Sequence, residues 1–379
     1  MTATKPETES QALSDDAFMA AALALGRRNL GRTGPNPSVG ALIVKDGVVI
    51  ARGHTALGGR PHAEAIAVAA AGEAARGATL YATLEPCSHH GATPPCVDTI
   101  LAAGIARVVS ALEDPDERVA GRGHARLREA GVEVTTGVRA AQARADHLGH
   151  ILRVTQGRPM VTLKLAQTAD GYAAGADHDP RLFITGALAD SVTHIERSLH
   201  SAIMVGHGTA AVDDPLLTVR LPGLESFKPL RVVLDPRLRL SRSSRLAATA
   251  RETPTLVIAG EGVTEAEAQD FAAATGIEVA RVGLDAAGRI VLGEALGELG
   301  RRGITRVFSE GGPRVAESLL VAALADDVVI HTGLRPLGRP GRPAFSATAR
   351  AILEDESRYR LADAAMLGVD RLTRYERIG

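Results

Sequence analysis

The sequence predicts an α/β protein built from two domains. A length of 379 residues corresponds to slightly more than two domains of about 150 residues each. Strand and helix signals alternate along both halves, which is typical of a sheet covered by helices. The composition changes at Thr155-Gln156-Gly157-Arg158-Pro159. We therefore expect one domain over residues 14–156 and a second over 157–379, preceded by a disordered tail at 1–13.

Composition limits the classes of partner. The chain has 43 basic and 44 acidic residues and a formal net charge of -1, so nothing in the charge balance indicates a nucleic-acid partner. The longest apolar stretch, from Ala17 to Leu25, is too short to cross a bilayer, so we expect no membrane partner. No signal peptide is visible, and we expect a cytoplasmic enzyme.

The first half begins with a helix and a hairpin. Ser14 is followed by two acids and should open a helix that ends near Asn29. An Asp-Gly pair at Asp46-Gly47 separates two apolar runs and predicts a β-hairpin. The remaining elements alternate and predict a mixed sheet with helices on both faces: helix 62–71, strand 78–84, helix 96–103, strand 105–111, helix 121–130, strand 132–136 and helix 140–154.

The second half contains the same two kinds of element. Apolar runs predict strands at 160–166, 202–205, 231–234, 255–259 and 304–309. Helical patterns fall at 264–275, 292–302 and 314–324. Glu310-Gly311-Gly312-Pro313 joins the last strand to the last helix, and glycines before a helix start let a phosphate approach free backbone amides.

A candidate metal site lies in the first half, at His62-Ala63-Glu64, Pro86-Cys87 and Cys96. One imidazole and two thiolates make three ligands for zinc, which leaves the fourth tetrahedral position to water. Zinc lowers the pKa of that water from about 15.7 toward about 7, and Glu64 would carry the proton. Side chains two apart on a regular helix diverge, so a shared site requires His62 and Glu64 at the helix start.

These residues could also have roles unrelated to a metal. Cys87 and Cys96 are the only cysteines and could form a disulfide or stay as inert thiols, although a disulfide would need an oxidising compartment. His89 and His90 could compete as ligands. A second His-x-Glu, at His194 and Glu196, has no Pro-Cys downstream, and we interpret it as a helix surface.

His-x-Glu followed by Pro-Cys is the signature of zinc nucleobase deaminases. The spacing to Cys96 is longer than usual here, and Pro35-Asn36-Pro37 opens a further motif that ends at Gly40. In this combination the first half resembles the deaminase half of the bifunctional riboflavin-biosynthesis deaminase/reductase family. The resemblance implies a cytidine-deaminase-like fold with His62, Cys87 and Cys96 on zinc. It also implies that Asn36 and His54 lie near the pyrimidine, although Asn36 could simply stabilise a turn.

The second half resembles the reductase half of the same family, whose fold is similar to dihydrofolate reductase. The similar segments are 164–171, 206–220 and 310–313. The resemblance implies NADPH as cofactor, bound by Gln167, Phe183, Thr209, Asp213, Gly312, Pro313, Arg314 and Val315. It implies that the substrate is bound by Arg181, Arg197, Leu217, Arg220 and Glu310.

The chain departs from the family at one segment. Relatives have Ser-x-Trp-Ile-Thr where this chain has Arg181-Leu182-Phe183-Ile184-Thr185. Phe183 keeps an aromatic face for the cofactor but lacks the indole donor, and Arg181 replaces a small hydroxyl.

The sequence thus predicts a bifunctional enzyme with zinc and NADPH as cofactors. The first domain would deaminate a diaminopyrimidinone phosphoribosylamine, and the second would reduce the ribosyl group to a ribityl chain. We expect a phosphorylated pyrimidine as the small-molecule partner and a homo-oligomer. Two alternatives remain: a monofunctional deaminase whose second domain only binds or oligomerises, and an RNA or nucleoside deaminase, which would need a basic groove that the charge balance does not support.

Overall fold

The computed structural model describes residues 5–90, 94–116, 119–176, 179–180 and 182–378. The chain divides into two compact units, Met1–Gly157 and Arg158–Gly379. None of the helices within the described residues combines the length and apolar composition that a bilayer span requires.

The described part of the first unit contains a five-stranded mixed sheet in the order β2-β1-β3-β4-β5. Strand β1 pairs antiparallel with β2 and β3, whereas β3, β4 and β5 run parallel. This agrees with the mixed sheet that the alternating pattern predicts. The elements are α1 (Lys5–Gly26), β1 (Gly40–Lys45), β2 (Val48–His54), α2 (Ala63–Ala71), β3 (Thr79–Ala82), α3 (Cys96–Ala102), β4 (Arg107–Ser110), α4 (Arg122–Glu129), β5 (Glu133–Thr136) and α5 (Ala140–Gln156).

The Asp-Gly hairpin forms as predicted. Lys45 pairs with Val48, so only Asp46 and Gly47 lie in the loop. Their φ angles are 52° and 75°. Two successive residues with positive φ match the right-handed twist of the flanking strands, and Asp-Gly accepts this conformation at low cost.

The first helix begins earlier than expected. It starts at Lys5 rather than Ser14, so most of the expected tail is helical. Asp15 is consequently inside the helix and does not cap it. Its carboxylate instead accepts hydrogen bonds from Arg107 at 2.9 and 2.7 Å and from Tyr81 at 2.7 Å.

The described part of the second unit contains a nine-stranded sheet in the order β11-β10-β9-β8-β12-β6-β13-β16-β15. The strands from β11 to β13 are parallel, and β16 and β15 continue the sheet antiparallel. The strands are β6 (Met160–Gln167), β7 (Tyr172–Ala174), β8 (Ala202–Gly206), β9 (Leu230–Leu234), β10 (Thr255–Gly260), β11 (Glu278–Val282), β12 (Arg306–Ser309), β13 (Asp327–Thr332), β14 (Arg342–Pro343), β15 (Tyr359–Leu367) and β16 (Asp370–Arg377). The helices are α6 (Ala187–Ser198), α7 (His207–Asp213), α8 (Arg245–Ala248), α9 (Glu265–Thr275), α10 (Leu292–Arg301), α11 (Pro313–Val321) and α12 (Ala347–Glu354).

The central strands of this sheet are buried on both faces. Every residue of β8 and β10 is buried, as expected for parallel strands between two helical layers. The chain order reverses where β12 inserts between β6 and β8. In open parallel sheets, ligands bind beyond the carboxyl ends of the strands at such a reversal. That position places Gly206, the last residue of β8, and Glu310, the first residue after β12, at the expected binding edge.

Candidate active sites

Three predicted metal ligands meet at one point of the first unit. His62 Nδ1 lies 3.3 Å from Cys96 Sγ and 3.6 Å from Cys87 Sγ, and both cysteines are free thiols. Donor atoms around a tetrahedral zinc, with bonds of ~2.0–2.3 Å, are about 3.5 Å apart. The three donor atoms therefore fit a zinc ion with one position left open.

Two helix starts position this cluster. His62 is the N-cap residue of α2 with extended backbone, and Cys96 is the first residue of α3. Neither His89 nor His90 belongs to the group of donor atoms; His89 lines the neighbouring cavity. Side chains two positions apart on a regular helix point in different directions. His62 and Glu64 can nevertheless share one site, because His62 has an extended backbone and only Glu64 lies inside the helix.

Glu64 is suited to proton transfer. It is 3% exposed, lines the cavity beside the metal ligands, and has no hydrogen-bond partner for Oε2 within the described residues. Burial raises the pKa of Glu64 to about 7, and the neighbouring Cys87 thiolate contributes to the rise. A metal-activated water needs a nearby group that accepts its proton. The unpaired Oε2 of Glu64, which is buried beside the three potential zinc donors, can accept it.

The thiol of Cys87 is prepared for metal binding. Its hydrogen bond with the Cys96 thiol, together with hydrogen bonds from His62 and the Cys96 backbone N–H, lowers the pKa of Cys87 to about 4. That backbone N–H donates to Cys87 Sγ at 3.3 Å, from the first residue of α3. Thiolates are the ligand form of cysteine, so the local hydrogen bonds favour the species that binds zinc.

Glu85 holds the cysteine loop in place. Its buried carboxylate accepts four backbone N–H groups: Asp114 at 3.2 Å, Gly121 at 2.9 Å, Gly123 at 2.8 Å and His124 at 3.1 Å. The short pattern Gly121-Arg122-Gly123 predicts only a loop, and nothing in it indicates this contact. These bonds connect the segment before Cys87 to the start of α4, so Glu85 is a positioning residue for the metal ligand.

The cavity beside the metal ligands contains several further polar groups. Asn36 lines it, and its Nδ2 also donates to Gly59 O at 3.0 Å, so both the ligand and the turn interpretations of Asn36 find support. His54 is not among the described residues that line it. Buried His150 and Asp114 both line the cavity and are 3.1 Å apart, Nε2 to Oδ1. His150 could not be identified from sequence, because it is one polar residue on a long helix.

The second unit contains a groove beyond the carboxyl ends of β8 and β12. It consists of two adjoining cavities of about 470 and about 700 Å³. Both are lined by Gly208, Thr209, Gly312 and Pro313, so the two turns that follow these strands connect them. Volumes of this order suit a dinucleotide and a small substrate together.

Most of the predicted reductase residues line this groove, but three need comment. Gln167 does not line it, and its Nε2 donates to Thr332 at 3.2 Å. Arg220 is exposed and lies outside the described lining, although its backbone N–H donates to His194 at 3.3 Å. Arg181 lies outside the described residues. The lining residues are Phe183, Arg197, Thr209, Asp213, Leu217, Glu310, Gly312, Pro313, Arg314 and Val315.

Arg197 binds Glu310 rather than facing the groove alone. Its Nε and Nη2 donate to the two carboxylate oxygens at 2.6 and 2.9 Å, and Nη1 donates to Thr218 O at 2.9 Å. Burial raises the pKa of Glu310, but Arg197 outweighs it and the pKa is lowered. Lys164, on β6, lines the same cavity. The sequence alone did not identify it as a site residue, because it is a single lysine in an apolar strand.

Comparison with known proteins identifies both halves. Residues 13–112 match the family described as the cytidine and deoxycytidylate deaminase zinc-binding region, and residues 159–366 match the RibD C-terminal domain. The riboflavin biosynthesis protein RibD of Escherichia coli K12 is 34% identical over 371 residues, which cover 94% of this chain and 98% of that protein. RibD of Aquifex aeolicus is 39% identical, over 86% of this chain and 88% of that protein.

Solved structures give the same result. Acinetobacter baumannii RibD has a TM-score of 0.85 at 31% identity and covers 97% of this chain and 100% of its own. A diaminohydroxyphosphoribosylaminopyrimidine deaminase/5-amino-6-(5-phosphoribosylamino)uracil reductase from Thermotoga maritima has a TM-score of 0.82 at 33% identity, with the same coverage.

The fold and the two sites define a class of protein, an α/β enzyme that joins a zinc-binding deaminase domain to a reductase domain. Such an enzyme acts on a small-molecule substrate. The chain belongs to the RibD family of riboflavin biosynthesis proteins. The predicted fold class and bifunctional activity are thereby confirmed, and the two domains are consistent with zinc and NADPH as cofactors.

Proposed function

We propose that residues 14–156 deaminate 2,5-diamino-6-(5-phosphoribosylamino)pyrimidin-4-one and that residues 157–379 reduce the ribosyl group of the product to a ribityl chain with NADPH. The observation that carries the deaminase assignment is the cluster of His62, Cys87 and Cys96 beside the unpaired carboxyl oxygen of Glu64. The names of the solved relatives supply the substrate class.

Glu64 is the proton carrier of the first reaction. Bound zinc supplies a Lewis acid that makes water nucleophilic at neutral pH. Glu64 takes the proton of the attacking water and gives it to the ring amine, which leaves as ammonia while oxygen stays on the ring carbon. Its pKa of about 7 suits both steps, because a group with this pKa exchanges protons readily near neutrality.

The cofactor lies across the glycine-rich turns of the second unit. NADPH supplies the hydride. Gly312, Pro313, Arg314 and Val315 form the start of α11, where free amides and the positive helix end favour a pyrophosphate. Thr209 and Asp213 belong to α7 on the opposite wall. Phe183 is 85% exposed beside the groove and offers its ring face to the cofactor, and Gln167 is the remaining cofactor residue we propose.

Substrate recognition uses charged groups at the other end of the groove. Arg197 orients Glu310 toward the cavity by the paired hydrogen bonds described above. Lys164 is near enough to Glu310 to lower its pKa. We assign Lys164 as the donor of the proton that accompanies the hydride when the opened sugar carbon is reduced. Leu217, Arg220 and Arg181 complete the proposed substrate residues, with Arg220 on the phosphate.

A spectrophotometric assay tests both activities. Purified protein with the diamino substrate should release ammonia, and the same protein with the deaminated intermediate should consume NADPH. A zinc chelator should stop the first reaction and leave the second. If the intermediate causes no NADPH consumption, the protein is a monofunctional deaminase whose second domain has another role.

Oligomeric state and location form part of the same proposal. Strand β15 lies at the edge of the nine-stranded sheet, and the β15–β16 hairpin exposes Leu361, Met366 and Val369. An exposed apolar edge strand is a pairing surface, which supports a homo-oligomer. Light scattering should give a mass above 39.4 kDa, and Met366→Lys should lower it. Free thiols as ligands support a reducing, cytoplasmic location, which cell fractionation tests.

A further inference from the structure

A buried histidine of the first unit has no part in the chemistry described so far. His150 lies on α5, is 8% exposed and lines the cavity beside the metal ligands. Its Nδ1 atom is buried and has no hydrogen-bond partner within the described residues. A buried polar atom without a partner destabilises a protein, so such an atom in a cavity wall points to a ligand that supplies the missing partner.

The other ring nitrogen of His150 is fixed by a carboxyl group. Nε2 lies 3.1 Å from Asp114 Oδ1. The same oxygen accepts the backbone N–H of Asp116 at 2.9 Å, and the backbone N–H of Asp114 donates to Glu85 Oε2 at 3.2 Å. Asp114 is thus held through both its backbone and its side chain. Because Oδ1 already acts as an acceptor, the hydrogen-bond network assigns the imidazole hydrogen to Nε2.

This assignment determines what Nδ1 can bind. When Nε2 carries the hydrogen, the Nδ1 of a neutral imidazole keeps its lone pair and is an acceptor. The partner that completes it is therefore an N–H or O–H donor. Asp114 fixes which nitrogen of His150 accepts, so Asp114 is a positioning residue for His150.

The size of the cavity limits which part of a substrate His150 can contact. Its volume is about 100 Å³, well below the ~300–1,000 Å³ of pockets that enclose a whole drug-sized ligand. Only part of a phosphoribosylaminopyrimidine fits inside. The ring is the enclosed part, because the carbon that loses its amine has to lie beside the metal ligands. An aminopyrimidine ring brings N–H donors with it, on its amines and on the ring itself.

We propose that His150 Nδ1 accepts a hydrogen bond from an N–H group of the aminopyrimidine and helps to hold the ring in the deaminase cavity. This inference rests on the proposed deaminase function and deepens it. It gives α5 a substrate-binding residue in addition to its packing role. A protonated His150 that donates from Nδ1 to the substrate phosphate is the competing arrangement, and the experiments below separate the two.

Steady-state kinetics of the zinc-loaded full chain test the assignment. His150→Phe keeps a planar ring but has no acceptor. His150→Gln can donate to Asp114 through its amide N–H and still offer an oxygen as acceptor. His147→Phe is the matched control, because His147 is a buried histidine on the same helix with its Nε2 3.1 Å from Thr83 Oγ1. His147 is not among the described residues that line the cavity.

His150→Phe should raise the KM of deamination by about three- to ten-fold, as expected for loss of one neutral hydrogen bond. Its kcat should change by less than about two-fold, because a bond made equally to the bound substrate and to the transition state contributes to binding alone. His150→Gln should recover most of the affinity, and His147→Phe should leave KM unchanged. A KM in His150→Phe no higher than in His147→Phe would overturn the assignment.

Nitrogen-15 NMR of the chain with native His150 gives a second measurement, which does not depend on folding of His150→Phe. The His150 signals are assigned by their loss in His150→Gln. In the zinc-loaded Glu64→Gln chain we expect a hydrogen on Nε2, none on Nδ1, and a shift of the Nδ1 signal when the diamino substrate is added. A hydrogen on Nδ1, or an Nδ1 signal that saturating substrate leaves unchanged, would overturn the role of His150 alone. A wild-type chain that releases no ammonia from this substrate would instead overturn the proposed deaminase function.

Discussion

Arg197 and Glu310 form a paired ion bridge at the edge of the reductase groove, with N–O distances of 2.6 and 2.9 Å. The two residues are separated by 113 positions in the chain. The bridge fixes the carboxylate at the carboxyl end of β12, directly beside the glycine turn. Glu310 is thereby oriented before any ligand arrives.

Replacing Arg197 by alanine should therefore damage reduction and stability together. Glu310, whose side chain is 14% exposed, would lose its paired cation, and loss of one partner from a fully buried pair costs about 3–5 kcal/mol. Its pKa should rise, because Arg197 is what lowers it. We expect a lower reductase kcat, a lower denaturant midpoint and unchanged deamination. Arg197→Lys should recover part of the stability but little of the kcat, since lysine cannot bridge both oxygens. Unchanged kcat in Arg197→Ala would contradict the positioning role.

Glu64→Gln should separate zinc binding from catalysis. The substitution removes the proton carrier but leaves His62, Cys87 and Cys96 in place. Deamination should fall by about 10²–10⁴-fold, while the zinc content stays equal to that of the wild type. Atomic absorption measures the zinc, and NADPH consumption with the deaminated intermediate controls for folding of the second unit. Normal deamination by this variant would show that Glu64 has another role.

Glu85→Gln should speed zinc release, although Glu85 is not itself a metal ligand. A glutamine amide has one acceptor oxygen and one NH₂ donor. Some of the four backbone N–H groups that donate to Glu85 would therefore face the NH₂ group and lose their acceptor. Buried unsatisfied groups cost about 1–3 kcal/mol each, so the free energy of unfolding should fall by about 2–4 kcal/mol. Zinc release to a colorimetric chelator should become faster. Glu113→Gln, an exposed neighbour, is the control, and equal release rates in the two variants would refute the proposed tether.

Phe183→Ala should weaken cofactor binding at no cost in stability. The ring is 85% exposed and buries little surface in the protein itself. Loss of its face should raise the Kd for NADPH by about three- to ten-fold, corresponding to a stacking energy of about 1 kcal/mol. Fluorescence titration measures the affinity. Phe183→Trp should bind at least as tightly as the wild type, and a loss of affinity in that variant would argue against stacking.

Asp15 should make stability depend on acid pH. Burial raises its pKa, but hydrogen bonds from Arg107 and Tyr81 outweigh burial, so the pKa is lowered. A folded-state pKa below the unfolded value of about 3.9 stabilises the protein at higher pH, and this contribution is lost as pH falls through the folded pKa. Asp15→Asn should therefore be less stable than the wild type near neutrality, and the difference should shrink below about pH 4. Urea denaturation across this range measures it. Asp16→Asn, which changes an exposed carboxylate, should show a much smaller difference throughout.

Much of the local structure could be predicted from sequence. The hairpin at Asp46-Gly47 and the helix start after His62 depend on neighbouring residues, so short-range patterns were sufficient. The clustering of His62, Cys87 and Cys96 could also be predicted, because imidazole and thiolate donors beside a glutamate have few other uses.

Long-range pairing could not be predicted. Asp15 was expected to lie at the start of a helix, but it binds Arg107, which is 92 positions away. Arg197 was expected to bind substrate directly, and only the assembled sheet shows it holding Glu310. The reductase cavity of about 700 Å³ combines turns near positions 237 and 289, which approach one another only through the strand order of the second unit.

The spacing of His62, Cys87 and Cys96 also determines which ions the first unit accepts. Two sulfurs and one nitrogen are soft donors, and hard ions such as Mg²⁺ and Ca²⁺ prefer oxygen in larger coordination shells. Cobalt(II) accepts the same tetrahedral arrangement, so it should replace zinc and report the site through visible absorption. We therefore expect metal discrimination by this enzyme to depend on donor chemistry and on distances that the two helix starts fix in advance.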